Sequence, residues 1–124
     1  MKFDELSNRV IGCAIEVHRA LGPGLLESAY EQCLARELAL SDILFQVQAP
    51  LPVEYKGVRL DCGYRIDLFV EKKLIIELKA VEKFLPIHEA QILTYMKLAN
   101  ISVGLLMNFN VELLKDGGIK RFVL

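Results

Sequence analysis

The sequence predicts an α/β fold, a mixed β-sheet flanked by helices in the order α-α-β-β-β-α-β-β. Three observations lead there. Through Leu40, apolar residues recur at helical spacing. After Ser41-Asp42 the spacing falls to the alternation of strands. Pro86 then reopens a helix between two short apolar runs.

The first helix is expected over residues 4–21, where Leu6, Val10, Cys13, Ala14, Val17 and Leu21 form one apolar stripe. Gly22-Pro23-Gly24 stops it, because proline cannot continue the hydrogen-bond ladder. A second helix follows over 25–40, with Leu26, Tyr30, Cys33, Leu34 and Leu38 facing inward. Phe45-Gln46-Val47-Gln48 alternates, and Pro50 and Pro52 mark an edge or irregular strand before Val53-Glu54-Tyr55. Lys56-Gly57 suits a tight turn. Residues 60–70 read as a strand in which Ile66, Leu68 and Val70 alternate with Arg65, Asp67 and Phe69. Glu71-Lys72-Lys73 turns the chain into Leu74–Lys79, which is apolar on both faces and so central to a sheet. The Pro86 helix runs to about Ala99, and residues 101–109 and 120–124 complete the strands.

One domain, 1–124, is expected from the length of 124 residues and the lack of any linker, repeat or low-complexity tract. With 53% apolar and 25% charged residues the composition is globular. The mean hydropathy of +0.34 points to a large core or to apolar surface that meets a partner. No apolar run approaches the roughly 18 residues of a membrane helix. Met1-Lys2-Phe3-Asp4-Glu5 turns acidic at once, unlike a signal peptide. Cys13, Cys33 and Cys62 are scattered and odd in number, which fits reduced thiols and a cytoplasmic protein. His18 and His88 are not spaced with them as zinc ligands are. A net charge of −1 argues against coating nucleic acid by bulk electrostatics. The charge is uneven, −3 over residues 1–62 (6 basic, 9 acidic) and +2 over 63–124 (9 basic, 7 acidic).

Chemistry is to be sought where charge enters strands that otherwise read as buried. Asp67 does so in the 60–70 strand, and Glu77 and Lys79 in the next. Strand residues two apart share a face, and a hairpin through Glu71-Lys72-Lys73 brings Asp67 to that face as well. Two carboxylates and an ammonium buried together cost several kcal/mol per unpaired ion. Mg²⁺ or Mn²⁺ resolves the carboxylate repulsion, since hard cations take oxygen ligands and keep water positions open. Metal, water and Lys79 together suit phosphodiester hydrolysis.

Asp67, nine intervening residues, then Glu77-x-Lys79 resembles the core signature of the PD-(D/E)XK nuclease superfamily. Leu21-Gly22-Pro23-Gly24-Leu25-Leu26-Glu27-Ser28-Ala29-Tyr30 closely resembles the namesake motif of its GxxExxY group. Val17-His18-Arg19 and Gln91-x-x-x-Tyr95 are similar to that group too. The resemblance implies a three-layer-like, restriction-endonuclease-type core. It also implies Asp67 and Glu77 as metal ligands, with the Leu78 backbone carbonyl and Glu27 as further donors. Lys79 would then be the catalytic lysine, and Gln91 and Tyr95 would face the substrate side. Ile66 stands where the signature's name has proline.

Blander readings stand beside these. Asp67, Glu77 and Lys79 could form a salt-bridge cluster on a sheet face, and Glu27 a solvated residue favoured by its helix dipole. His88, Gln91 and Tyr95 share one helical face, which is often merely the solvated side. His18 lies off the inner stripe, with a supporting or capping role as open as a catalytic one. Tyr30 reads as core, its hydroxyl a candidate to reach the site. Gly22-Pro23-Gly24 lacks the Lys-Ser/Thr of a phosphate loop, and no Ser-His-Asp or Cys-His arrangement is apparent. The expected function is a metal-dependent nuclease acting on nucleic acid, with DNA favoured. The alternative is an inactive nuclease-fold module that binds nucleic acid or protein. Apolar composition and the 101–109 strand also suggest surface for a homodimer.

Overall fold

Asp4 opens the first helix in the manner its side chain favours: Oδ2 accepts from the Ser7 amide at 3.0 Å and Oδ1 from the Ser7 hydroxyl at 2.6 Å. The computed structural model describes residues 3–124. In it α1 spans Glu5–Leu21 and α2 Glu27–Leu40. Gly22 ends α1 at φ +67°, a left-handed conformation that glycine adopts without strain, and its amide returns to the His18 carbonyl at 2.8 Å. The strands before the last helix are β1 (Phe45–Pro50), β2 (Val53–Tyr55), β3 (Val58–Leu60), β4 (Arg65–Val70) and β5 (Leu74–Lys79). Then come α3 (Pro86–Ala99), β6 (Val103–Asn108) and β7 (Ile119–Val123).

Five strands form one sheet in the order β1-β4-β5-β6-β7, and β2 and β3 form a separate hairpin. Among the described residues only β5 and β6 run parallel, because α3 carries the chain across between them. The others pair antiparallel. One face of the sheet buries Leu68, Val70, Ile76 and Leu105 against α1 and α2. The other buries Ile75 and Leu106 against Ile92, Tyr95 and Met96 of α3. That helix lies close on β6: a Cβ at Gly104 would stand 2.7 Å from Met96 Sδ and 3.1 Å from Ile92 Cδ1. No helix among the described residues is long and apolar enough to cross a membrane.

The α/β class is as expected, and β5 is central, but the region before it is more divided. Five strands precede α3 rather than three. The 60–70 strand is interrupted because Asp61 Oδ1 accepts the Gly63 amide at 3.0 Å, an Asx turn with Gly63 left-handed at φ +81°. Leu60 therefore ends β3, and β4 starts at Arg65. Leu26, expected inside, is 76% exposed because it precedes α2 as its N-cap. Leu21 is 40% exposed at the end of α1, while His18, expected off the stripe, is only 5% exposed. Ser7, Ile11 and His18 are buried beside that stripe, so α1 buries a broader face than expected. The 101–109 segment, expected to offer surface to a second copy, supplies β6, flanked on both sides and buried from Gly104 to Asn108.

Candidate active site

The functional candidates gather where β4 and β5 part. Their pairing runs Val70↔Leu74, Phe69↔Ile75 and Leu68↔Ile76, then stops. Asp67 and Glu77 come next, and side chains take over from the ladder. The Asp67 amide donates to Glu77 Oε2, and the Leu78 amide donates to Asp67 Oδ2, each at 2.8 Å. Each carboxylate thus satisfies a backbone donor that the fork leaves free. N–H and C=O of one strand residue point the same way, so the Leu78 carbonyl also faces the fork.

The remaining groups arrive from both helical layers. On the α3 side, Lys79 Nζ donates to Gln91 Oε1 at 3.5 Å, and Gln91 Nε2 donates to the Tyr95 hydroxyl at 3.1 Å. The four-residue spacing of Gln91 and Tyr95 makes this second bond local to the helix. The Tyr64 ring leans on Tyr95 with centroids 6.0 Å apart. On the α2 side, Glu27 is the first helical residue and exposed, and Glu31 lies one turn on. Gln48 Nε2 donates to both Glu31 Oε2 at 2.8 Å and Asp67 Oδ1 at 3.2 Å.

Electrostatics follow from this crowding. Glu77 is 4% exposed. Burial, then the Asp67 carboxylate, push its carboxyl up to about 8, against the Asp67 amide bond and the Lys79 ammonium, with Glu27 adding a smaller push. Burial also raises Glu31, which the Gln48 bond draws down and the Asp67 and Glu27 charges push further up. The Tyr95 hydroxyl is raised by burial, against its Gln91 bond, and by the charge of Glu77.

The three residues expected to support the site make their bonds away from the fork, with Tyr30 in the core as expected. His18 Nε2 is 3.1 Å from the Phe109 carbonyl, in the α1 core. His88 accepts the Leu85 amide on Nδ1 at 3.0 Å and so caps α3. Tyr30 is fully buried and stacked on Phe109, with centroids 4.6 Å apart. Its hydroxyl donates to the Gly22 carbonyl at 2.6 Å and accepts the Leu25 amide at 3.1 Å, bracing the turn that leads to Glu27.

Three further residues shape the site. Glu31 carries a signal in the sequence, since it stands four after Glu27 on the same helix face. Gln48 and Asn108 carry no comparable signal. Buried Asn108 accepts the Val81 amide at 3.1 Å and donates to the Val81 carbonyl at 2.8 Å, fixing the chain just beyond Lys79.

The donor set near the fork is all oxygen, which matches a hard divalent cation in kind. Glu77, pushed up by burial first and then by the Asp67 and Glu27 carboxylates, also has the electrostatics that a cation would relieve. No group of three or more His, Cys, Asp or Glu side chains among the described residues is already arranged to hold a metal. A cleft of about 630 Å³, lined by Asp4, Arg9, Glu71 and Lys73 among others, lies at the opposite, turn end of the β4–β5 hairpin.

A family model for the PD-(D/E)XK nuclease superfamily matches residues 4–122. No curated protein and no solved structure matches the chain.

Proposed function

The chain belongs to the PD-(D/E)XK nuclease superfamily, and from that premise we propose a metal-dependent nuclease, of the GxxExxY group, that hydrolyses phosphodiester bonds of nucleic acid, with DNA favoured. The observation that carries the reading is the fork itself. Asp67 and Glu77 meet where the strands part, and Lys79 projects beside them under a bond to Gln91.

The Asp67 and Glu77 carboxylates would hold Mg²⁺ or Mn²⁺, with the Leu78 carbonyl and Glu27 as further oxygen donors. Bound there, the cation supplies Lewis acidity toward a phosphoryl oxygen and lowers the pKa of a water. The Lys79 ammonium holds positive charge where a phosphate gains negative charge, and Gln91 fixes its direction. Tyr95 orients Gln91 in turn, and the exposed edge of Tyr64 lies on the substrate side. Glu77, pushed up to about 8 by burial and by Asp67, carries a proton at neutral pH, so the pair does not hold two adjacent negative charges.

A second reading, an inactive module of the same fold that binds nucleic acid or protein, is favoured by one observation: the acids among the described residues do not form a ready metal cage. Titration calorimetry with Mn²⁺ separates the two. The nuclease reading expects a binding isotherm that disappears in Asp67→Ala. No heat of binding in folded wild-type protein, at Mn²⁺ concentrations up to the millimolar range, contradicts it.

A further inference from the structure

Ile66 and Leu68 lie two apart on β4 and should share a face of the sheet. They do not. Leu68 belongs to the core beneath α1 and α2, and Ile66 to the core beneath α3. Ala49, paired with Ile66, goes with it to the α3 side. The changeover falls between the pairs Val47↔Leu68 and Ala49↔Ile66, at the position where Gln48 stands opposite Asp67. Gln48 is left-handed there, with φ +52° in the middle of a strand. Such a conformation is uncommon for a residue with a side chain, and it persists only where the surroundings hold it.

Its side chain is tied down as well. The carboxamide nitrogen has two protons, and they go to Glu31 Oε2 and Asp67 Oδ1. The Leu78 amide takes Oδ2 of Asp67. Both oxygens of Asp67 are thereby directed, one from β5 and one from β1, while the turned backbone rolls the strand pair at that point. On the reading of this fork as a metal-dependent nuclease centre, we propose that Gln48 is a positioning residue for Asp67: its left-handed backbone turns the β1–β4 pair and its carboxamide ties Asp67 to Glu31 of α2. The role is distinct from any held by Asp67, Glu77 or Lys79, since the carboxamide acts on one of those groups rather than on a substrate.

Two variants separate this from a merely structural turn. Gln48→Gly accepts the left-handed backbone and removes the donors. Gln48→Met keeps the side-chain length and removes the donors. The readout is the set of three-bond Hα–Hβ couplings of Asp67 in the folded, metal-free protein. Wild type is expected to show a single χ1 rotamer, and either folded variant is expected to show averaged couplings. On the same samples, Mn²⁺-dependent cleavage is expected to fall roughly ten- to a hundredfold in kcat with KM little changed, the signature of a misdirected group. A single retained Asp67 rotamer in every variant that folds overturns the proposal. Absence of cleavage by wild type contradicts the nuclease reading instead, and the couplings still decide whether Gln48 holds Asp67.

Discussion

Asp67 and Glu77 each hold a backbone amide of the other's strand: Glu77 Oε2 accepts from Asp67 N, and Asp67 Oδ2 from Leu78 N, both at 2.8 Å. The exchange closes the mouth of the β4–β5 hairpin with carboxylates instead of ladder bonds. It also leaves buried Glu77 beside a second acid.

The first consequence is a dependence of stability on pH. Glu77 sits at about 8 in the folded protein against an ordinary 4.5. A carboxyl raised by folding contributes stability that is full below its unfolded pKa and is lost as pH climbs through the folded one. Metal-free protein should therefore lose a few kcal/mol between about pH 5 and pH 8. Glu77→Gln keeps an oxygen for the Asp67 amide and cannot ionise, so its urea midpoint should stay nearly flat over that window.

Uptake of a divalent cation should expel the same proton. Calorimetry of Mn²⁺ binding at pH 7 in buffers of different ionisation enthalpy should report release of about one proton. The release is expected to vanish in Glu77→Gln, and apparent affinity in wild type should rise with pH until about 8.

Tyr30 can be tested without metal. Tyr30→Phe keeps the stack on Phe109 and strips the Gly22 carbonyl and Leu25 amide of their partner. A loss of about 1–3 kcal/mol is expected in chemical unfolding. Hydrogen exchange at the Leu25 amide should speed up at the same time, because the turn before Glu27 loses its brace.

At the far end of the hairpin, Asp4 caps α1 and ties it to β7 through Arg121 Nη2 at 2.9 Å. Burial pushes its carboxyl up, but the Ser7 and Arg121 bonds outweigh this and hold it at about 2. A depressed carboxyl contributes stability above its unfolded pKa and loses it as pH falls through the folded one. Asp4→Ala should cost about 1 kcal/mol at neutral pH. Thermal unfolding should show that gap closing as the pH drops from about 3.8 toward 2.

Much of this is legible in the sequence because its physical basis is short-range. Asp67, Glu77 and Lys79 stand out as charges in apolar strands, and a short turn between them makes their proximity a matter of counting. Pro86 announces α3 in the same local way. Leu26 misleads because helical spacing continues past the point where the backbone has become extended, at ψ 151°. His18 misleads because burial depends on what packs against a helix, here Phe109 from the far end of the chain. Gln48 is invisible for a deeper reason. Nothing in an alternating strand announces a left-handed residue, and the partners of its side chain on α2 and β4 come near only in the folded chain.

The most direct measurement is cleavage of linear duplex DNA by purified protein, with Mn²⁺ or with chelator, in wild type and Lys79→Ala. Cleavage by wild type that needs the cation, and falls at least about a hundredfold in a Lys79→Ala protein of unchanged fold and unfolding midpoint, is the expected result. Full cation-dependent activity in that variant, or none in wild type that demonstrably binds Mn²⁺ and nucleic acid, would contradict a nuclease centre built on this fork.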